Sequence, residues 1–154
     1  MFKILDEACK PSRGSKFSAC VDLRAREDMQ IEGGKTVLIP LGVSFNIDEF
    51  IANSGAMFPT NFKSKHYLQL MLRSSLSKEL IIANGVGVID LDYKDEIMIR
   101  VHNPSRGYGS VKITKGQRVA QITMLEHKSY LFGIETEDER VGGFGSTNQK
   151  EESK

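Results

Sequence analysis

The chain has 154 residues, 40% hydrophobic and 27% charged, with a formal net charge of +1. One domain with an ordinary core is the expectation at that length, and a wholly disordered chain is excluded. The near-neutral balance gives no electrostatic footprint for nucleic acid. No apolar run approaches the roughly 20 residues of a membrane span. The opening MFKILDEACK carries acids by its sixth position, unlike a secretory signal, so a soluble intracellular protein is expected. Cys9 and Cys20 are too far apart for a CxxC knuckle, and His66, His102 and His127 form neither HxxxH nor HExxH. Zinc is therefore not expected; a hard cation arriving with a phosphorylated ligand suits the composition better.

The dominant hydrophobic period is two. In SACVDLRA (18–25) Asp22 alternates with Val21 and Leu23; alone, it reads as an exposed strand acid. Val43, Phe45 and Ile47 alternate with Ser44, Asn46 and Asp48, which predicts a strand over 43–48. A further strand is expected over 67–72. RSSL (73–76) sets an arginine beside two hydroxyls at the start of SLSKELIIA (75–83), the one segment with a respectable helical pattern. A helix start of that kind favours an anion such as phosphate, though a plain cap with a surface arginine explains it equally.

NGVGVIDLDY (84–93) predicts a strand beside a tight hairpin, with Gly85 and Gly87 allowing close approach of a flat ligand. Asp90 follows Ile89 in apolar surroundings, where partial burial favours a general base; a solvated hairpin acid is the simpler alternative. Asp92 is expected on the other side and reads as structural. Strands are expected over 97–102 and 111–114. KGQRVAQ (115–121) reads as a turn into a strand over 119–125 that is buried on both faces, with Gln121 inside it. RVGGFGSTN (140–148) places Phe144 among Gly142, Gly143 and Gly145, a composition suited to closing over a planar group. Ser146, Thr147 and Arg140 can then meet phosphate oxygens. The same string also suits a loose tail with an incidental phenylalanine. Short strands divided by Gly, Pro, Asn and Asp indicate an all-β sandwich or barrel, and the residues after Asn148 are expected to fray.

Those five segments, in this order and at this spacing, resemble the five motifs of the trimeric dUTP pyrophosphatases, or dUTPases. GVIDLDY and GGFGST are the specific strings, and the resemblance runs from residue 18 to 148. It implies an all-β protomer: a jelly-roll-like β-barrel of the β-clip kind with one short helix over residues 1–139, then a flexible C-terminal arm, 140–154. It also implies a cytoplasmic homotrimer with shared active sites, hydrolysing dUTP to dUMP and pyrophosphate with Mg²⁺ on the triphosphate.

By motif position, Asp90 resembles the base that activates water for attack on the α-phosphorus. Arg73, Ser74, Ser75 and Gln121 resemble phosphate-binding positions, and Arg140, Ser146 and Thr147 the arm's contacts to the γ-phosphate. Asn84 and the backbone through Gly87 match the hairpin that reads uracil. Tyr93 matches the residue under the deoxyribose, and Phe144 the aromatic that closes over the base. Asp22 matches an acid acting on the metal indirectly, through water.

The chain departs from that pattern in places. Leu72 stands where the family usually has Pro, Cys20 and Val21 where it has Gly and Tyr, and Asp95 where it has Gly. Only Val141 separates Arg140 from the GGF string, and the stretch 53–67 is longer than expected and reads as a surface loop. Two other functions fit parts of the pattern. A dCTP deaminase shares the fold but uses Glu chemistry and generally lacks the GGFGST arm. A catalytically idle nucleotide sensor or protein-binding regulator is the other.

Overall fold

The computed structural model describes residues 1–107 and 109–134. Of the positions singled out above, Arg140, Phe144, Ser146 and Thr147 lie outside the described residues, as does the expected arm. The described residues form eleven strands and one α-helix. The strands are β1 (Phe2–Ile4), β2 (Val21–Arg24), β3 (Met29–Glu32), β4 (Thr36–Pro40), β5 (Val43–Phe45), β6 (His66–Leu72), β7 (Ile81–Ile82), β8 (Gly87–Asp90), β9 (Met98–His102), β10 (Ser110–Ile113) and β11 (Arg118–Glu126). The helix, α1, is Ile47–Asn53.

Every pairing between these strands is antiparallel. The order β2-β11-β6-β8 makes the largest sheet, β4-β9-β7 a second, and β1-β5 and β10-β3 two ribbons. The β-clip architecture is present as these small sheets around one core; no closed barrel is formed among the described residues. Alternation sets the inner faces, as the sequence indicates. Ile97, Ile99 and Val101 are buried, and Val111 and Ile113 face the same core as Leu23, Leu68, Leu70 and Ile122.

Four local expectations are corrected. Residues 74–79 form consecutive turns rather than a helix. Their amides mostly reach back three residues, as in Leu76 N–H to Arg73 C=O at 3.0 Å and Glu79 N–H to Leu76 C=O at 3.0 Å. The Ser77 hydroxyl donates to the Ser74 carbonyl at 2.8 Å, the local competition that makes serines poor inside helices. Ile81 and Ile82 then pair with β9.

The helix lies elsewhere. The strand at 43 stops at Phe45 because the Asn46 side chain caps α1, accepting from the Glu49 amide at 3.0 Å. At 84–87 there is no hairpin: β7 and β8 belong to different sheets, and the turn at Gly85, with φ +75°, carries the chain between them. In β11 both faces are buried only at Val119 and Ala120, and Leu125 is 38% exposed.

The stretch between α1 and β6 is the exposed loop expected, and its aromatic residues anchor it. A chain of rings runs Phe2, Phe45, Phe50, Phe58, Phe62, His66, each in contact with the next at centroid separations of 4.0–5.7 Å. That chain pins the end of α1 and the 3-10 turn Lys63–Lys65 against β5 and the start of β6.

Candidate active site

The outer face of the four-stranded sheet carries most of the chemistry. Gln121 pairs with Asp22 on one side and Met71 on the other, and two residues along β6 Gln69 faces Thr123 and Val88. Tyr67 faces Leu125 and Asp90 at the far end. Cross-strand partners share a face, so Asp22, Gln121 and Met71 define one end of it and Asp90 the other.

At the first end, Asp22 is 7% exposed and accepts from two arginines. Arg73 Nε lies 3.0 Å from its Oδ1 and Arg118 Nη1 3.1 Å from its Oδ2. Arg73 emerges where β6 ends, its amide donating to the Val119 carbonyl at 3.1 Å. Ser74 and Ser75 follow, exposed, in the turn. This corner presents two guanidinium groups, two hydroxyls and a half-buried amide side chain, the donor set that a polyphosphate needs. Asp22 is the counter-charge that aims the arginines; sequence reading singled out Arg73 but not Arg118, although Arg118 lies inside KGQRVAQ.

The second part is a pocket of about 170 Å³ between β8 and β9, lined among others by Leu70, Ile82, Asn84, Gly87, Tyr93 and Met98. It is smaller than the ~300–1,000 Å³ of sites that enclose a whole ligand, and suits a single ring. Gly87 is required by the sheet: a Cβ there would lie 2.9 Å from Leu70 Cβ. Tyr93 is 8% exposed, and its hydroxyl donates to the Glu96 carbonyl at 3.0 Å.

Asp90 comes one residue after Ile89 of that pocket wall, and the turn back to Tyr93 is closed by Tyr93 N–H to Asp90 C=O at 3.1 Å. Asp90 is exposed, not partly buried as expected, because it lies on the outer face at the strand's end. It opens instead onto a larger cavity of about 730 Å³ whose wall includes Lys63, His66, Lys94 and His127. Asp92 is exposed on that same wall.

Asp90 and the phosphate corner lie far apart within one chain. From Tyr67, opposite Asp90, to Arg73 is six residues along β6, or about 20 Å of strand. Arg73 moreover turns away from β8, across the end of β11, to reach Asp22 on β2.

A dUTPase family model matches residues 6–148. The chain belongs to the dUTPase family. Among curated relatives, it is 35% identical to a deoxyuridine 5'-triphosphate nucleotidohydrolase of Acinetobacter baylyi, over 96% of this chain and 97% of that one. The enzyme of the same name from Hydrogenovibrio crunogenus is also 35% identical, over 95% and 94%. Among solved structures, the Streptococcus mutans dUTPase superposes with a TM-score of 0.63 at 28% identity, covering 81% of this chain and 94% of that one. A dUTPase of Staphylococcus bacteriophage 80alpha, solved with dUpNHpp, shares the fold at 21% identity and a TM-score of 0.67, over 94% and 89%.

Among the described residues no group of three or more His, Cys, Asp or Glu side chains is arranged to hold a metal ion. Asp22, expected to act on the metal through water, has an arginine on each carboxylate oxygen. No helix among the described residues is long and apolar enough to cross a membrane.

Proposed function

We infer that the protein hydrolyses dUTP to dUMP and pyrophosphate by attack of water on the α-phosphorus, which limits the dUTP available to DNA synthesis and supplies dUMP. The observation that carries this is the ring-sized pocket lined by Asn84, Gly87 and Tyr93, with Asp90 ending the strand that walls it and facing the larger neighbouring cavity. Asn84 and the backbone through Gly87 offer hydrogen bonds to the polar edge of uracil, and a pocket built for those bonds rejects bases that leave them unpaired. The Tyr93 ring packs under the deoxyribose, where it leaves no room for a 2′-hydroxyl.

Asp90 holds the attacking water and takes its proton as the new oxygen–phosphorus bond forms. The bond from the α-phosphorus to the bridging oxygen breaks, and pyrophosphate leaves. A base so placed contributes roughly 10²–10⁴-fold. Arg73, Ser74, Ser75 and Gln121 hold the phosphates and offset the charge that builds on them. Mg²⁺ belongs to the substrate in this reading, carried on the triphosphate. Asp22, paired with Arg73 and Arg118, aims those arginines at the phosphates and acts on the metal only indirectly, through water. Phe144 closes over the base, with Arg140, Ser146 and Thr147 on the γ-phosphate.

The site is completed by a second copy of the chain. The phosphate corner of one protomer meets the Asp90 end of another, and three copies close the ring as a homotrimer. The roughly 20 Å between the two ends supports this, as does an outer sheet face that leaves Val88 60% exposed. The test is pyrophosphate release from dUTP, dCTP, dTTP and UTP with Mg²⁺; selective turnover of dUTP is expected.

A further inference from the structure

We propose that Glu96 is the positioning residue that fixes Tyr93 against the sugar, and so sets the preference for deoxyribonucleotides. This rests on the reading of Tyr93 given above. Rejecting a single hydroxyl by steric exclusion demands that the ring cannot retreat, and Tyr93 is held by its own hydroxyl, which donates to the Glu96 carbonyl at 3.0 Å. That carbonyl is only as fixed as the residue bearing it.

The Glu96 carboxylate is tied at both oxygens. Oε1 accepts from the Gly42 amide at 2.7 Å, and Oε2 pairs with Arg26 Nη1 at 2.8 Å. The Gly42 amide is itself set by a tight turn. Its φ is +62°, and a Cβ there would lie 2.6 Å from Cys9 Cβ and Sγ, so the β4–β5 turn admits glycine and packs directly on the buried Cys9. Next door, Ile97 N–H donates to Val43 C=O at 2.8 Å and Leu41 N–H to Ile97 C=O at 3.0 Å. The sugar platform is thus anchored, through Glu96, to the β4–β5 turn and the segment after β2. Neither belongs to the segments that carry the site's chemistry.

The test is kcat/KM for dUTP and for UTP in the full-length protein and in Glu96→Ala, Glu96→Gln and Arg26→Ala, each checked for an intact thermal transition. In Glu96→Ala the UTP-to-dUTP ratio is expected to rise by about tenfold or more, the scale set by one small group in a pocket. Glu96→Gln keeps an acceptor for Gly42 and recovers most of the discrimination. Arg26→Ala, at a half-exposed position, leaves the fold intact and raises the ratio less. A ratio unchanged in Glu96→Ala and Arg26→Ala, with both substrates slowed in proportion, overturns the proposal and leaves the Tyr93 reading standing. Wild-type protein that uses UTP as well as dUTP overturns both.

Discussion

Arg73 and Asp90 lie on the same face of one sheet but at opposite ends of β6: Asp90 pairs with Tyr67, and Arg73 follows Leu72. If both act on one substrate molecule, they come from different copies. Mixing inactive Arg73→Ala with inactive Asp90→Asn protein, after dissociation and reassociation, is then expected to restore activity. In a closed ring of three, each mixed assembly regains one intact site, so equal mixing returns roughly a quarter of wild-type turnover. Turnover that stays at the level of the separate variants places the whole site within one chain.

Asp22 is the buried hub of the phosphate corner, and its two arginine partners are 25% and 41% exposed at their side chains. Replacing Asp22 with Asn leaves Arg73 without its counter-charge. Urea unfolding is expected to show a loss of about 1–3 kcal/mol, held down by the solvent around Arg118. Arg118→Ala is expected to cost less than about 1 kcal/mol. Both variants should raise KM for dUTP, Asp22→Asn by the larger factor.

Asp6 and Lys115 tie the N-terminal segment to the turn before β11, at 2.6 Å. The hydrogen bond from Lys115 holds Asp6 below its ordinary value of 3.8, and the Asp6 carboxylate raises Lys115 above 10.5. A lowered carboxylate contributes stability that is present above its unfolded value and is lost as pH falls through the folded one. The raised lysine contributes below 10.5 and loses it as pH rises past its folded value. Between about pH 4 and pH 10 the tie is therefore constant. In Asp6→Asn the melting temperature should fall less steeply between pH 4 and pH 2 than in the wild type, with the two curves parallel near neutrality.

Phe62 stands between Phe58 and His66, at centroid distances of 4.5 and 4.0 Å. Phe62→Ala breaks the ring chain in its middle. A loss of about 1–3 kcal/mol is expected, with faster proteolysis confined to residues 54–65. Cleavage there at the wild-type rate would show that the rings do not hold the segment.

The four-stranded sheet and strands β9 and β10 were legible in the sequence because those segments alternate, as in Ile97, Ile99 and Val101 against Met98, Arg100 and His102. Strands β1, β3, β4 and β7 are too short or too mixed to show that pattern. The helix was misplaced for a physical reason. Asn46 continues an alternating pattern, and its capping bond to Glu49 outweighs that pattern. In SLSKELIIA the pairing of Ile81 and Ile82 with β9 overrides a helical spacing. Segments carrying site chemistry could be picked out by composition, but not how they assemble. Nothing in RSSL shows that Arg73 turns to Asp22, and nothing in GVIDLDY shows that Asp90 ends on the exposed face. Arg118 had a readable signal, a charged residue at the mouth of a buried strand. Glu96 had none, since its partners Gly42 and Arg26 are 54 and 70 residues away.

The most direct measurement is pyrophosphate release from dUTP, dCTP, dTTP and UTP with Mg²⁺, with wild-type and Asp90→Asn protein side by side. Expected is rapid turnover of dUTP alone, falling by at least about 10²-fold in the variant. An Asp90→Asn protein as fast as the wild type, or ammonia released from dCTP in place of pyrophosphate from dUTP, would contradict it.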